Sequence, residues 1–293
     1  MSAYLVRAAS AKLQASAGAR DTVFVNQRFE DELLQGAVFE QCTFANVSFK
    51  KSVLRNCEFR ACVFERCYFR RTEIAECDFP ASRFISCEFI KPAIRASDFR
   101  HTRFERCFPD FAEMKPHLPG EDNLRSDLST NLAVEADALG AAREARQYRL
   151  ASIEANEQHL LAVLRGSTKW HQDHFDTIAR LVAGGELVIS KLNGALWGHG
   201  ERAWRLITNI AIATLVVWPV IYLASGDVEQ SSGSQVGLGD ALTLSASSFL
   251  SSPEFAGLEV GAIAQWFVLG EIALGFVSLG LFVSFLIRWI SRR

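Results

Sequence analysis

One carboxylate stands inside a stretch of sequence that has no other charge. Residues 260–287 contain Glu271 and are otherwise uncharged. A carboxylate facing hydrocarbon is costly, so it turns to protein or water. Two chemistries are then open: a cation site or pore-lining charge, or a structural bond to a hydroxyl such as Ser245, Ser247 or Ser248. Those serines belong to residues 240–254, DALTLSASSFLSSPE, a Ser-rich, half-apolar segment between two long apolar runs. Trp170, His171, Asp173, His174 and Asp176 include metal-ligating types spaced for one helix face, but no further ligand cluster accompanies them, so no metal is assigned. The sequence shows no nucleophile-plus-base pattern, phosphate loop or dinucleotide fingerprint. It is therefore read as a non-enzyme without a cofactor.

The other chemistry-bearing residues, the cysteines, lead to the element that positions them. All seven (42, 57, 62, 67, 77, 87 and 107) fall in a single five-residue register. That register also holds Ala37, Val47, Ser52, Thr72, Ser82, Ser97 and Thr102, with Pro92 as its one bulkier member. Two residues further on, large apolar residues recur without a break: Phe24, Phe29, Leu34, Phe39, Phe44, Phe49, Leu54, Phe59, Phe64, Phe69, Ile74, Phe79, Phe84, Phe89, Ile94, Phe99 and Phe104. Neither a helix nor a flat strand turns one face inward every fifth residue. A solenoid that turns a corner each five residues does, with four corners to a coil.

Residues 22–107 thus resemble the pentapeptide-repeat family. The resemblance implies a right-handed quadrilateral β-helix with both registers pointing inward. At a strand spacing of about 4.8 Å, about four coils make a rod near 20 Å tall, whose ends need caps. Spacing by five forms no CxxC unit, so the cysteines read as buried thiols in a reducing compartment. Some members of the family mimic DNA with an acidic surface. Here Lys and Arg slightly outnumber Asp and Glu in the repeat, and the net charge is −2 overall. Nucleic acid is therefore not an expected partner, by binding or by mimicry.

Pro109, Pro116, Pro119 and Gly120 punctuate the end of the repeat. Residues 122–165 read as helix, with Gly140 as a candidate break, and a second helix over 170–191 is expected to be interrupted near Gly184 and Gly185. The first twenty residues lack a continuous apolar core and are read as a short cap on the repeat, not a secretory signal. Being Arg- and Ala-rich, they leave a transit peptide open as the alternative.

Residues 206–226 carry no charge and are long enough to cross a hydrocarbon core of about 30 Å. Pro219 is expected to kink this span, with Trp204, Trp218 and Tyr222 as interfacial anchors. Lys191, Arg202 and Arg205 precede the first apolar run, and Arg288, Arg292 and Arg293 follow the second. The loop between them holds Asp227, Glu229, Asp240, Glu254 and Glu259 but no Lys or Arg, so the positive-inside rule puts both termini in the cytoplasm.

Residues 198–293 resemble the two-transmembrane, pore-loop channel family of potassium-channel type. Residues 241–249, ALTLSASSF, are similar to its pore helix; Glu271, Gly275 and Gly280 are similar to its inner helix; and residues 197–205 resemble its amphipathic approach helix. Where the family carries the TVGYG filter this chain has Ser251, Ser252, Pro253, Glu254 and Phe255. Potassium selectivity, which uses backbone carbonyls of a glycine-bearing strand, is not carried over.

The sequence therefore predicts a multi-domain membrane protein. Residues 1–21 form a cap, 22–108 the β-helix, 109–199 an α-helical cytoplasmic connector with the approach helix, and 200–293 a transmembrane hairpin. Within the hairpin, spans at about 205–226 and 260–288 enclose a re-entrant pore loop at about 238–256. The expected pore or selectivity residues are Ser247, Ser248, Phe249, Leu250, Ser251, Ser252 and Glu254, beside Glu271, Gly275 and Gly280 of the inner helix. The expected function is an oligomeric channel, a homotetramer in the plasma (inner) membrane, contacting lipid and conducting cations without potassium selectivity. A cytoplasmic protein partner on the β-helix is a further expectation. The alternative is a membrane-anchored scaffold that binds a partner protein and conducts nothing.

Overall fold

The computed structural model describes residues 18–231, 236–252 and 257–291. It forms two compact units that divide between Gly184 and Gly185. Most of the expected N-terminal cap, residues 1–17, lies outside the described residues.

The first unit begins with a rod of short parallel strands, each paired with the strand twenty residues later. Val23–Val25, Thr43–Ala45, Val63–Glu65, Arg83–Ile85 and Arg103–Glu105 form one face in register. Leu33–Gln35, Val53–Arg55, Glu73–Ala75 and Ala93–Arg95 form the next. A third face starts at Ala19–Arg20, so the coil begins just before the repeat read from the sequence. The fourth is a line of single bridges through Arg28, Ser48, Tyr68 and Glu88.

The corners explain why this chain bends every five residues. From Asp21 to Arg106, the residue two past each large centre has a positive φ, about 44–59° at the non-glycine positions and 67° at Gly36. Such a conformation costs a non-glycine residue roughly 1–2 kcal/mol. A bond to the neighbouring coil offsets it. The amide of each corner from Asp21 to Ser86 donates to a carbonyl nineteen residues on, as Asn56 does to Ala75 (2.9 Å) and Arg66 to Ile85 (2.9 Å).

Inside, the large centres stack into ladders. Phe24, Phe44, Phe64, Phe84 and Phe104 lie nearly parallel at centroid spacings of 5.0, 4.8, 4.7 and 5.0 Å. Phe39, Phe59, Phe79 and Phe99 form a second stack at 5.2, 5.1 and 5.0 Å. Each aromatic contact adds about 0.5–1.5 kcal/mol beyond buried area. All seven cysteines are buried free thiols.

Helices close the far end of the rod: α1 (Phe111–Met114), α2 (Asp122–Ala138) and α3 (Ala142–Arg165). Gly140, at φ +76°, makes the break between α2 and α3. Leu128, Leu132 and Ala133 of α2 and Tyr148 of α3 join the core of the coils. A short α4 (Lys169–His174) follows.

Helix α5 (Thr177–Trp197) then runs unbroken through Gly184 and Gly185, where the sequence predicts an interruption. Two glycines lower helix propensity by about 1 kcal/mol each, which a helix of this length absorbs. The amphipathic approach helix expected over residues 197–205 is not one element, because α5 ends at Trp197 and the next helix begins at Ala203. Residues 198–202 instead form a turn with Gly198, His199 and Gly200 at positive φ.

The second unit contains α6 (Ala203–Ile212), a π-helical turn at Ala213–Val217, and α7 (Trp218–Ser225) as one continuous rod. A two-stranded antiparallel ribbon, Val228–Gln230 with Leu258–Val260, brackets the short α8 (Leu238–Phe249). The long α9 (Ala262–Ser291) ends the described chain. Two stretches have the length and composition to cross a membrane: Trp204–Ser225, of 22 residues, and Ala262–Ser284, of 23.

Candidate functional site: the short helix between the apolar helices

Helix α8 is 12 residues long, about 18 Å at 1.5 Å per residue, and cannot cross a bilayer. Its position follows from two polar attachments and one close backbone contact. At its N-terminus the Asp240 carboxylate accepts from the Gly237 amide (3.0 Å) and from Gln230 Nε2 (2.7 Å), which ties it to the ribbon. In its middle, Ser245 Oγ lies 2.8 Å from the Thr214 carbonyl and 2.5 Å from Glu271 Oε1. At its C-terminus the Phe249 carbonyl abuts Gly275, where an added Cβ would overlap it.

Glu271 is fully buried and belongs to the polar seat of α8. Tyr222 Oη donates to its Oε2 at 2.7 Å, and Ser245 reaches its Oε1. Of the two chemistries left open by the sequence, the geometry displays the hydroxyl bond, through Ser245. Tyr222, read from the sequence as an interfacial anchor, is buried in this cluster instead. Its contribution was missed because an aromatic near a helix end fits both roles.

Pro219 produces no simple kink. It cannot donate to residue 215, and its ring crowds that carbonyl. The chain widens into a π turn immediately before it, with the Trp218 amide donating to the Ala213 carbonyl five residues back. The next bond of that register would need the missing N–H of Pro219. The Thr214 carbonyl is thus left for Ser245. No sequence period signals this; only Pro219 and the facing serine together do.

The other predicted residues are placed as follows. Ser248 is buried, and Ser247 Oγ bonds the Leu244 carbonyl (3.1 Å). Phe249 ends α8, and Leu250 projects outward at 77% exposure. Ser251 takes a positive φ of 60°, and the Ser252 amide returns to the Ser247 carbonyl (2.9 Å), so both are exposed at a tight turn. Glu254, with Pro253 and Phe255, lies outside the described residues. Gly280 has open space where a Cβ would project.

Asp227 anchors the start of α9, its carboxylate accepting from the Ile263 (2.8 Å) and Ala264 (2.9 Å) amides. A carboxylate at a helix N-terminus is stabilising there. His171 and His174 use their Nδ1 atoms locally, on Thr168 Oγ1 (2.6 Å) and the Trp170 carbonyl (2.9 Å). Among the described residues no group of three or more His, Cys, Asp or Glu is arranged to hold a metal.

In the rod, one bond explains the mixed Cys/Ser/Thr register. Each side chain meets the carbonyl of the large centre twenty-three residues back: Cys67 to Phe44 (3.2 Å), Thr72 to Phe49 (2.7 Å), Ser82 to Phe59 (2.6 Å), Cys87 to Phe64 (3.2 Å). Burial pushes the Cys62 thiol up to about 12 and the Cys87 thiol further up.

The pentapeptide repeat region, as a family, matches residues 37–114. This segment is a pentapeptide-repeat β-helix. No curated protein matches the chain significantly. Among solved structures, full-length QnrB1, a plasmid-mediated fluoroquinolone resistance protein, is similar at 17% identity and a TM-score of 0.25, covering 31% of this chain and 46% of that one. HetL, a pentapeptide repeat protein involved in heterocyst differentiation regulation in the cyanobacterium Nostoc sp. strain PCC 7120, is similar at 10% identity and a TM-score of 0.20, covering 36% and 45%. A pentapeptide repeat protein of the Arabidopsis thaliana thylakoid lumen gives 9% identity and a TM-score of 0.20, covering 39% and 76%. The chain spans about half the length of the first two.

Proposed function

We propose that this chain is the subunit of an oligomeric membrane ion channel, with α8 as its pore helix and the β-helix as a cytoplasmic assembly or gating domain. The observation that carries this reading is the seat of α8. A helix too short to span is bonded, through buried polar groups, to both helices long enough to span. A tether needs no such element, whereas a re-entrant pore helix does. Two spans cannot enclose a path alone, so the unit is an oligomer, in our reading a tetramer. Basic residues flanking the spans and carboxylates in the loop between them support cytoplasmic termini and a cation-attracting outer mouth. The turn at Ser251 and Ser252, without the glycines of a potassium filter, supports a path that does not select potassium.

The test is purified protein in planar bilayers with cross-linking in detergent. Single-channel currents that change on Phe249→Ala, from a cross-linked tetramer, are expected. A monomer that passes no current at any voltage or pH overturns the reading.

A second reading, a membrane-anchored scaffold, takes the pentapeptide-repeat β-helix of residues 37–114 as a protein-binding module. Phe249→Ala leaves partner capture unchanged under this reading.

A further inference from the structure

The seat of α8 has more acceptors than hydroxyl hydrogens within bonding distance of them, since the buried Ser248 and Thr214 hydroxyls reach neither Glu271 nor the Thr214 carbonyl. Three acceptor atoms converge on it: the Thr214 carbonyl, which the π turn and Pro219 leave without an amide, and the two oxygens of Glu271. Two hydroxyls serve them. The Tyr222 hydrogen goes to Glu271 Oε2 at 2.7 Å. Ser245 has one hydrogen yet lies within bonding distance of both the Thr214 carbonyl (2.8 Å) and Glu271 Oε1 (2.5 Å). A hydroxyl donates once and accepts through its lone pairs. If Glu271 were a carboxylate, one of the two oxygens facing Ser245 would be a buried acceptor without a donor, and a buried polar group left unpaired is costly.

We infer that Glu271 itself carries the third hydrogen, so that the seat is a proton-binding site. The carboxyl donates from Oε1 to Ser245 Oγ, Ser245 donates to the Thr214 carbonyl, and Tyr222 donates to Oε2. Every acceptor is then filled, and a single bound proton links both long helices to α8. When that proton leaves to solvent, Ser245 must choose between the carboxylate and the Thr214 carbonyl, and one attachment of α8 to the first helix is lost. Tyr222 is the titratable group that faces Glu271 from α7. From the π turn, α8 and α9, no Lys, Arg, His or second carboxylate among the described residues interacts with it. Proton occupancy at this one residue is therefore coupled to the docking of α8. The coupling does not depend on conduction, because a tethered scaffold with the same helices would show it too.

Infrared difference spectroscopy of the full chain in lipid vesicles tests this. At neutral pH, exposed carboxyl groups are ionised, so a protonated-carboxyl carbonyl band marks a protected acid. One such band, removed by Glu271→Gln and shifted to higher frequency by Ser245→Ala, is expected. Pro219→Ala returns an amide to the Thr214 register, freeing the Ser245 hydrogen for Glu271, so the band should weaken. A difference spectrum between wild type and Glu271→Gln that contains only carboxylate bands overturns the proposal. A band that Pro219→Ala leaves unchanged overturns its link to Thr214. Where a variant fails to fold, carbon-13 glutamate in the unaltered chain reads the same band: its presence supports the proposal and its absence defeats it. Planar-bilayer currents, measured separately, keep this outcome apart from the fate of the channel reading.

Discussion

Gly275 of α9 lies directly against the carbonyl oxygen of Phe249, at the last turn of α8, so closely that no methyl group fits between them. Because the neighbour is backbone, it cannot swing aside. Gly275→Ala must displace the end of α8 or open the α8–α9 contact, at about 1–3 kcal/mol for an overpacked site. Gly280→Ala meets nothing within 4 Å and replaces a poor helix former, so it should be neutral or gain up to about 1 kcal/mol. Thermal melting of the detergent-solubilised chain compares the two. Equal melting temperatures would show that the close approach is not a constraint.

Tyr222→Phe removes a buried donor while keeping the ring. Its hydroxyl, 2.7 Å from Glu271 Oε2, has no substitute among the described neighbours except Ser248, which is buried beside it. Leaving a buried oxygen of Glu271 unpaired should cost about 1–3 kcal/mol. The double variant Tyr222→Phe, Ser248→Ala then tests whether Ser248 takes over. A double variant no worse than Tyr222→Phe alone would exclude that rescue.

The rod and the seat differ in how much of them can be read from residue order. The rod is visible because one physical constraint, a large inward side chain every fifth residue, is repeated from Phe24 to Phe104 without a break. Its end is less visible. Pro109, Met114 and Pro119 keep the large-centre register and are buried, yet α1 and prolines replace strands there, so the sequence reads as punctuation. His117 keeps the small register as well, its Nε2 lying 2.9 Å from the Ile94 carbonyl, twenty-three residues back. The seat combines Thr214, Pro219, Tyr222, Ser245 and Glu271 from distant parts of the chain. Only Glu271 stands out alone, because a charge in an apolar run is costly wherever it falls. Selecting Ser245 over Ser247 needs the helix phase that packing supplies.

Alkaline pH should weaken the rod through its thiols. Burial raises Cys62 from 9.0 to about 12. The folded chain then holds a proton that the unfolded chain releases. The stability this contributes is complete below about pH 9 and declines as pH rises toward 12. Ser82 shows that a hydroxyl fits the same register, bonding the Phe59 carbonyl at 2.6 Å. Cys62→Ser should therefore fold and show a shallower fall in melting temperature between about pH 9 and 11. An identical slope in both proteins would mean that other groups govern the alkaline loss.

Asn131 acts as one residue of the next coil. Its side-chain amide accepts from the Phe104 amide (2.8 Å) and donates to the Phe104 carbonyl (2.9 Å), copying the ladder bonds a further strand would make. The Glu135 carboxylate takes the Arg106 amide (2.5 Å) beside it. An open strand end is a template for pairing with another chain. Asn131→Ala should leave both Phe104 groups unpaired, at about 1–3 kcal/mol, and speed hydrogen exchange at Phe104 while Phe64, two coils inside, stays protected. Asn131→Asp keeps the acceptor and loses the donor, so it should fall between. If Phe104 exchanges no faster in Asn131→Ala, the apolar face of α2 alone closes the rod, and the side-chain pairing is incidental.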